Sequence, residues 1–284
     1  MRIVLIGADG QLGRELQRQL DEQVIVFGHA QVEITDPQSA ESAIADAAAN
    51  LVINVAAYNQ VDRAEDEPDV AYRVNALGPR NLALCCEDRG IPLLHVSSDF
   101  VFGLDSNQTK PCRETDATGP LSAYGVSKLA GECFVRALCR RHFVVRTCGL
   151  YGCGKTPGTG NFVETILRLA KQRNELSVVD DQTCTPTSTA DLARAIQALI
   201  ATVDYGLYHA TNTGSTTWYR FACEIVRLRQ CDVRVRPISS EEFGAKALRP
   251  SYSVLDNRKL AETIGFALPP WQEALVKYLN DQQT

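Results

Sequence analysis

RIVLIGADGQLGRELQRQL, Arg2 to Leu20, opens the chain and decides its fold. Arg2 to Ile6 is a short apolar run, Gly7, Gly10 and Gly13 follow at the spacing GxxGxxG, and Gln11 to Leu20 carries helical periodicity. The stretch therefore reads as strand, tight turn and helix. Glycines at such a turn let the backbone approach a pyrophosphate, and the free N–H groups and positive dipole end of the helix favour an anion there. A glycine-rich turn with no ligand is the plainer alternative. The position of the turn between the first strand and the first helix favours dinucleotide binding.

Working outward, the same alternation recurs. A second strand, Val24 to Phe27, is followed by Gly28 and His29, where NAD-selective folds place an acid on the ribose 2′-hydroxyl. The missing acid permits a 2′-phosphate, yet no Arg stands at this turn, so NADPH or NADH stays open with a lean to NADPH. Asp36 and Pro37 read as the cap and first residue of a helix running to about Ala49. Leu51 to Val55 is a buried strand ending in NVAAY, whose small residues leave room for a ligand at the carboxyl end of a sheet. One helix is predicted from about Asp69 to Asp88, with Asn75 among apolar neighbours and therefore in need of partners. Strand Ile91 to Val96 delivers Ser97, Ser98 and Asp99 to its carboxyl end, a polar loop runs from Leu104 to Pro120, and a helix and strand His142 to Arg146 follow. Five alternations of strand and helix predict an α/β fold with a doubly wound parallel sheet.

After Tyr151 the pattern loosens. Gly152 to Asn161 is a glycine-rich loop, either a cover for a substrate or a plain crossover. Helices are predicted at Phe162–Gln172, Thr189–Ile200, Thr216–Leu228 and after Trp271, with strands at Leu176–Val179, Gly206–His209 and Val233–Pro237. No repeat, low-complexity stretch or linker interrupts the 284 residues.

Composition narrows the function classes. With 45% apolar and 22% charged residues, the chain can bury a large core. A formal charge of −5 argues against nucleic acid as a partner. The opening apolar run is too short for a membrane span and leads into a glycine turn instead of a cleavage site, so a cytoplasmic protein is expected. Ten cysteines show no CxxC and no paired Cys/His spacing. Most of them are expected to be small buried hydrophobes, with neither a metal cluster nor a disulfide framework.

YGVSK, Tyr124 to Lys128, sets a phenol and an ammonium one helical turn apart on one face. Lys⁺ beside Tyr favours the phenolate, so the pair is expected to lower the phenol pKa from about 10 and to act in general acid/base chemistry. A half-buried ring beside a solvated ammonium is the bland alternative.

GADGQLG, NVAAY, SSDFVFG, YGVSKLAGE, DQTCTPTS and RPSYSVLD, in this order and spacing up to about Leu260, resemble the extended short-chain dehydrogenase/reductases, and within them the dTDP-4-dehydrorhamnose reductases. The resemblance implies a Rossmann-type domain over residues 1–149, to which 176–205 returns, and a mainly substrate-binding lobe over 150–284. It implies NAD(P)H-dependent reduction of a nucleotide-linked 4-keto-6-deoxysugar, with another nucleotide-sugar reductase, an epimerase or a cofactor-binding regulatory subunit as alternatives. Tyr124 becomes the catalytic acid, Lys128 the residue that lowers its pKa and holds the nicotinamide ribose, Ser98 the hydroxyl on the substrate carbonyl, and Asn75 a support for Lys128. Gly7, Gly10, Gln11, Leu12 and Gly13 match the pyrophosphate turn, and Glu33, Ile34, Ala56, Ala57 and Tyr58 match other cofactor contacts. Asn161, Gln182 and Arg249 match nucleotide-sugar contacts. Some members use Mg²⁺ near a homodimer contact, and Glu15 matches one acid of that site, although its helix position reads as surface. Three departures stand out: Gly149 where the reductases carry a Trp beside the sugar, Cys184 where they prefer Gly, and Ser98 where they have Thr. The first implies the loss of a sugar-stacking ring.

Overall fold

The computed structural model describes residues 1–20, 23–152 and 160–282; most of the glycine-rich loop, including Cys153, lies outside the described residues. β1 (Arg2–Ile6) leads through the glycine turn into α1 (Gln11–Gln19), β2 (Gln23–Phe27) and α2 (Pro37–Asp46). The Asp36 carboxylate accepts from Gln38 N at 3.0 Å and Pro37 fills the first turn, which is why α2 begins where the sequence places it. It ends before Ala49, because Ala48 turns the chain with a φ of +46°. β3 (Leu51–Asn54), α3 (Pro68–Tyr72), α4 (Gly78–Arg89), β4 (Leu93–Ser98), α5 (Ala123–Leu138) and β5 (His142–Thr147) complete the first half.

The second half runs through β6 (Leu150–Tyr151), α6 (Phe162–Ala170), β7 (Glu175–Val179), β8 (Thr183–Cys184), β9 (Thr187–Ser188), α7 (Thr189–Ile200) and β10 (Gly206–His209). It closes with β11 (Thr216–Thr217), α8 (Trp218–Leu228), β12 (Arg234–Ile238), α9 (Ser240–Phe243), α10 (Arg258–Ile264) and α11 (Trp271–Asp281).

Six strands form one parallel sheet in the order β2-β1-β3-β4-β5-β10. The chain leaves β1 in one direction to make β2 and returns on the other side to make β3, so the carboxyl ends of β1 and β3 diverge into a crevice. One face packs Leu12 and Leu16 of α1 and Leu192 and Ile196 of α7 against Leu5, Leu94 and Val145. The other packs Ile44, Leu82 and Val135 against Val4, Val52 and Val144. Both faces are covered, so the strands read as unbroken apolar runs.

Within the stretch 176–205, expected back on this sheet, β7 instead pairs in parallel with β12, Glu175 opposite Arg234, because its apolar residues pack with α6 and α8. Helix α7 and the following β10 are the parts that lie on the sheet. Tyr151, Val163, Phe221, Trp271 and Leu275 form a separate core among α6, α8 and α11.

The expected helix from Asp69 to Asp88 forms, running from Pro68 to Arg89, but a π turn over Arg73–Leu77 within it links α3 to α4. The widened turn lays the Asn75 carbonyl against Gly131 of α5, where a Cβ would overlap the oxygen and stand 3.3 Å from its carbon. π turns recur where a helix yields to a neighbour or serves a site. Farther along α5, Glu132 accepts from Arg146 of β5 through Nε at 2.9 Å and NH2 at 2.7 Å, with both side chains buried. His209 of β10 lies 3.4 Å from the same guanidinium and is driven down to about 3 by burial and by Arg146, so it stays neutral. Cys85, Cys86, Cys112, Cys139, Cys148 and Cys184 are buried free thiols. Among the described residues no helix is long and apolar enough to cross a membrane.

Gly131→Ala should part α5 from the π turn and lower the unfolding free energy by about 1–3 kcal/mol, the cost of overpacking a closed contact. Urea unfolding measures it, and an unchanged midpoint would show that the two helices can separate freely.

Candidate active site

α5 begins where the Ser122 hydroxyl accepts from Gly125 N at 3.2 Å, which fixes Tyr124 in its first turn and Lys128 one turn later. β4 ends at Ser98, whose Oγ accepts from Phe100 N at 3.2 Å and donates to Asp99 Oδ1 at 3.0 Å. Phe100 then meets the Tyr124 ring edge-on, with centroids 5.5 Å apart. The strand end and the helix start are thereby locked together, and Ser98 and Tyr124 line the same cleft.

These residues floor a cleft of about 500 Å³ over the divergent strand ends. Its wall begins with Gly10, Gln11, Leu12 and Gly13 at the open end of α1 and continues through Ala57 to Ser98, Tyr124 and Lys128. Asn161 closes the far side, donating to Gln11 Oε1 at 3.1 Å and to the Tyr278 hydroxyl at 3.1 Å. Sequence-predicted residues from both halves of the chain are thus brought to one cavity.

Others lie behind or beside it. Gly7 holds a φ of +87° under Ala56, where a Cβ would come within 2.5 Å of Ala56 N. Ile34 is core, packed on Gly78, and Glu33 is exposed, bonding Thr35 N at 3.0 Å. Asn75 accepts from Tyr58 N at 2.8 Å and donates to Tyr58 O at 3.1 Å and Ser127 Oγ at 3.0 Å, so it clamps the NVAAY turn to α5 next to Lys128. Gln182 donates to Ser240 Oγ at 2.8 Å. Arg249 grips Asp62 with NH1 at 3.1 Å and NH2 at 2.8 Å, and this holds the Asp62 carboxyl below the usual range. Glu15, expected at the surface, is buried in α1, which packs against α7, and accepts from Arg18 at 2.6 Å and from Gln19. Among the described residues no three or more His, Cys, Asp or Glu side chains converge as a metal site would require.

The electrostatics correct the expectation for the central pair. Tyr124 is 8% exposed and its phenol is pushed up to about 12, first by burial and also by the Asp99 charge, while the Ser98 hydrogen bond pulls it back. Lys128 does not lower it, because the ammonium is turned to Val96 O at 2.7 Å. Burial brings Lys128, 2% exposed, down to about 8 against the pull of Glu132. Desolvation disfavours the charged form of each, so the two pKa values move in opposite directions.

Two departures gain a setting. Trp218 of α8 stands against Gly149, where a Cβ would lie 3.0 Å from the indole, and the ring packs on Phe162 at 4.8 Å. An aromatic ring from another element therefore occupies the space into which a side chain at 149 would point. Cys184 is buried near Cys148, whose thiol is raised well above its ordinary value by Cys184, by burial and by the Asp99 charge. Sequence reasoning missed Asp99 as a hub: it is buried, raised by desolvation, and accepts from Ser253 Oγ at 2.6 Å as well as from Ser98. Ser253 lies within the quoted RPSYSVLD, but nothing in the spacing announces a partner 154 residues away.

Residues 1–284 match the family described as the RmlD substrate binding domain. The chain is 42% identical to dTDP-4-dehydrorhamnose reductase of Streptomyces griseus, covering 97% of this chain and 92% of that one. It superposes with a TM-score of 0.94 on the crystal structure of a dTDP-4-dehydrorhamnose reductase from Clostridium acetobutylicum, at 42% identity and complete coverage of both chains. It superposes at 0.93 on the Bacillus anthracis dTDP-4-dehydrorhamnose reductase in complex with NADP, at 39% identity and 99% coverage of each.

A lysine whose folded pKa lies below its unfolded value binds fewer protons folded than unfolded between about 8 and 10.5, so unfolding free energy should rise with pH in that window. Relative to Lys128→Met, the wild type should gain about 2 kcal/mol between about pH 7.5 and about pH 9.5. Urea unfolding of both proteins at the two pH values tests this, and a constant difference would mean that the buried amine is not destabilised when charged.

Proposed function

The chain belongs to the RmlD substrate-binding domain family, and we propose that it reduces the 4-keto group of dTDP-4-dehydro-L-rhamnose to give dTDP-L-rhamnose, using a reduced nicotinamide dinucleotide. The observation that carries this reading is the convergence of Ser98, Tyr124 and Lys128 on the floor of a cleft that starts at a glycine turn. The cleft suits the dinucleotide. Gly10 caps α1 without a side-chain hydrogen bond, leaving N–H groups for a pyrophosphate, and Ser97 and Thr147 line the same cleft. NADP in the Bacillus anthracis relative supports NADPH as one donor.

When bound, the dinucleotide supplies the hydride that goes to the carbonyl carbon. Ser98 donates to the carbonyl oxygen and polarises it. Tyr124, protonated throughout the neutral range, gives its proton to the same oxygen as negative charge develops there. In this reading Lys128, its ammonium bound to Val96 O, holds the nicotinamide ribose, and solvent restores the phenol proton. Asn75 takes no proton; it holds α5 in place through Ser127. In this reading the elements on the central sheet hold the dinucleotide, and Asn161, Gln182 and Arg249 face the nucleotide-sugar. Arg249 exchanges its Asp62 carboxylate for the diphosphate.

Loss of nicotinamide absorbance with dTDP-4-dehydro-L-rhamnose as substrate tests the reaction. Tyr124→Phe should lower kcat by about 10²–10⁴ while still binding the dinucleotide. Undiminished turnover would remove Tyr124 as the acid, and a wild-type protein that binds the dinucleotide but leaves this sugar unreduced would remove the substrate assignment.

A further inference from the structure

In nucleotide-binding βαβ units the adenosine ribose lies at the end of the second strand, where an acid accepts from its 2′-hydroxyl. Here β2 ends at Phe27, and Gly28 and His29 follow. The acid absent from the strand is supplied by the turn after β1. Gly7 N and Ala8 N both donate to Phe27 O, at 3.0 and 3.2 Å, which draws the turn onto the end of β2 and sets the next residue, Asp9, beside Gly28. Arg14 Nε donates to Asp9 O at 3.0 Å and holds the turn from the helix side. The Asp9 carboxylate then lies over Gly28: a Cβ on that glycine would stand 2.8 Å from Asp9 Cγ and 3.1 Å from Oδ1. Only glycine leaves the carboxylate this place. The Gly28 amide is already spent on Gln31 Oε1 at 2.7 Å, and among the described residues no donor takes up the Asp9 side chain.

We propose that Asp9 selects the dinucleotide, accepting from the ribose 2′-hydroxyl of NADH and repelling the 2′-phosphate of NADPH. The inference rests on the dinucleotide-dependent reading of the cleft. Two like charges in contact oppose binding, whereas a hydroxyl–carboxylate hydrogen bond is charge-assisted. The chain therefore takes NADH readily, and its preference for NADPH is smaller than the same turn would give with a neutral side chain at position 9.

Equilibrium titrations of the wild type and Asp9→Asn with NADH and NADPH, read by nicotinamide fluorescence, test this without turnover. Asn keeps the size of the side chain and removes its charge. Asp9→Asn should tighten NADPH by about five- to tenfold and weaken NADH by about three- to tenfold, moving the ratio of the two dissociation constants by more than about tenfold. Binding of both dinucleotides with a ratio unmoved by the substitution would overturn the role of Asp9 and leave the reductase reading standing. Failure of the wild type to bind either would overturn both.

Discussion

The carboxamide of Asn75 is the point at which three parts of the molecule are held together. It accepts from and donates to the backbone of Tyr58 after β3, and it donates to Ser127 on α5. A buried amide left without these partners costs more than each bond contributes in net stability, so the arrangement is demanding as well as favourable. The helix that carries Asn75 widens into a π turn, and α5 can approach because Gly131 has no side chain. Tyr124 and Lys128 lie on the same helix, on either side of Ser127, so their position over the strand ends follows from that clamp.

Burial then decides their chemistry. A phenol held near 12 and an amine held near 8 are both in forms that desolvation favours or tolerates poorly when charged. Asp99 adds a third buried ionisable group, and it accepts from Ser98 and Ser253. The site is therefore costly to the fold, a pattern expected where residues are placed for reaction and not for stability. The Arg146–Glu132 pair beneath is different: a fork of hydrogen bonds between fully buried partners, which ties α5 to β5 and fixes the floor on which the site stands.

Polar contacts join the two halves of the chain in and around the cleft. Asn161 meets Gln11, Ser253 meets Asp99, and Arg249 meets Asp62. The third is a partly exposed ion pair, whereas the Asp99 contact is buried. Trp218 against Gly149 shows the same economy of space: an aromatic surface beside the cleft comes from α8 and not from the segment after β5.

By itself the sequence determined the strands of the central sheet, most of the helices and their order. The period of apolar residues marked the central strands, Asp36–Pro37 marked a helix start that the structure keeps, and the Tyr124–Lys128 spacing placed both on one face of a helix. Each of these depends on residues a few positions apart, where backbone geometry is the controlling force. Tertiary structure decided what lies beyond that reach. It set the π turn at Asn75, the pairing of β7 with β12, the burial of Glu15, the engagement of Arg249 by Asp62, and the placing of the Asp9 carboxylate over Gly28. It also reversed the expected shift of the Tyr124 phenol. Hydrogen-bond partners and desolvation come from segments distant in the chain, and a local pattern carries no record of which segment will be folded against it.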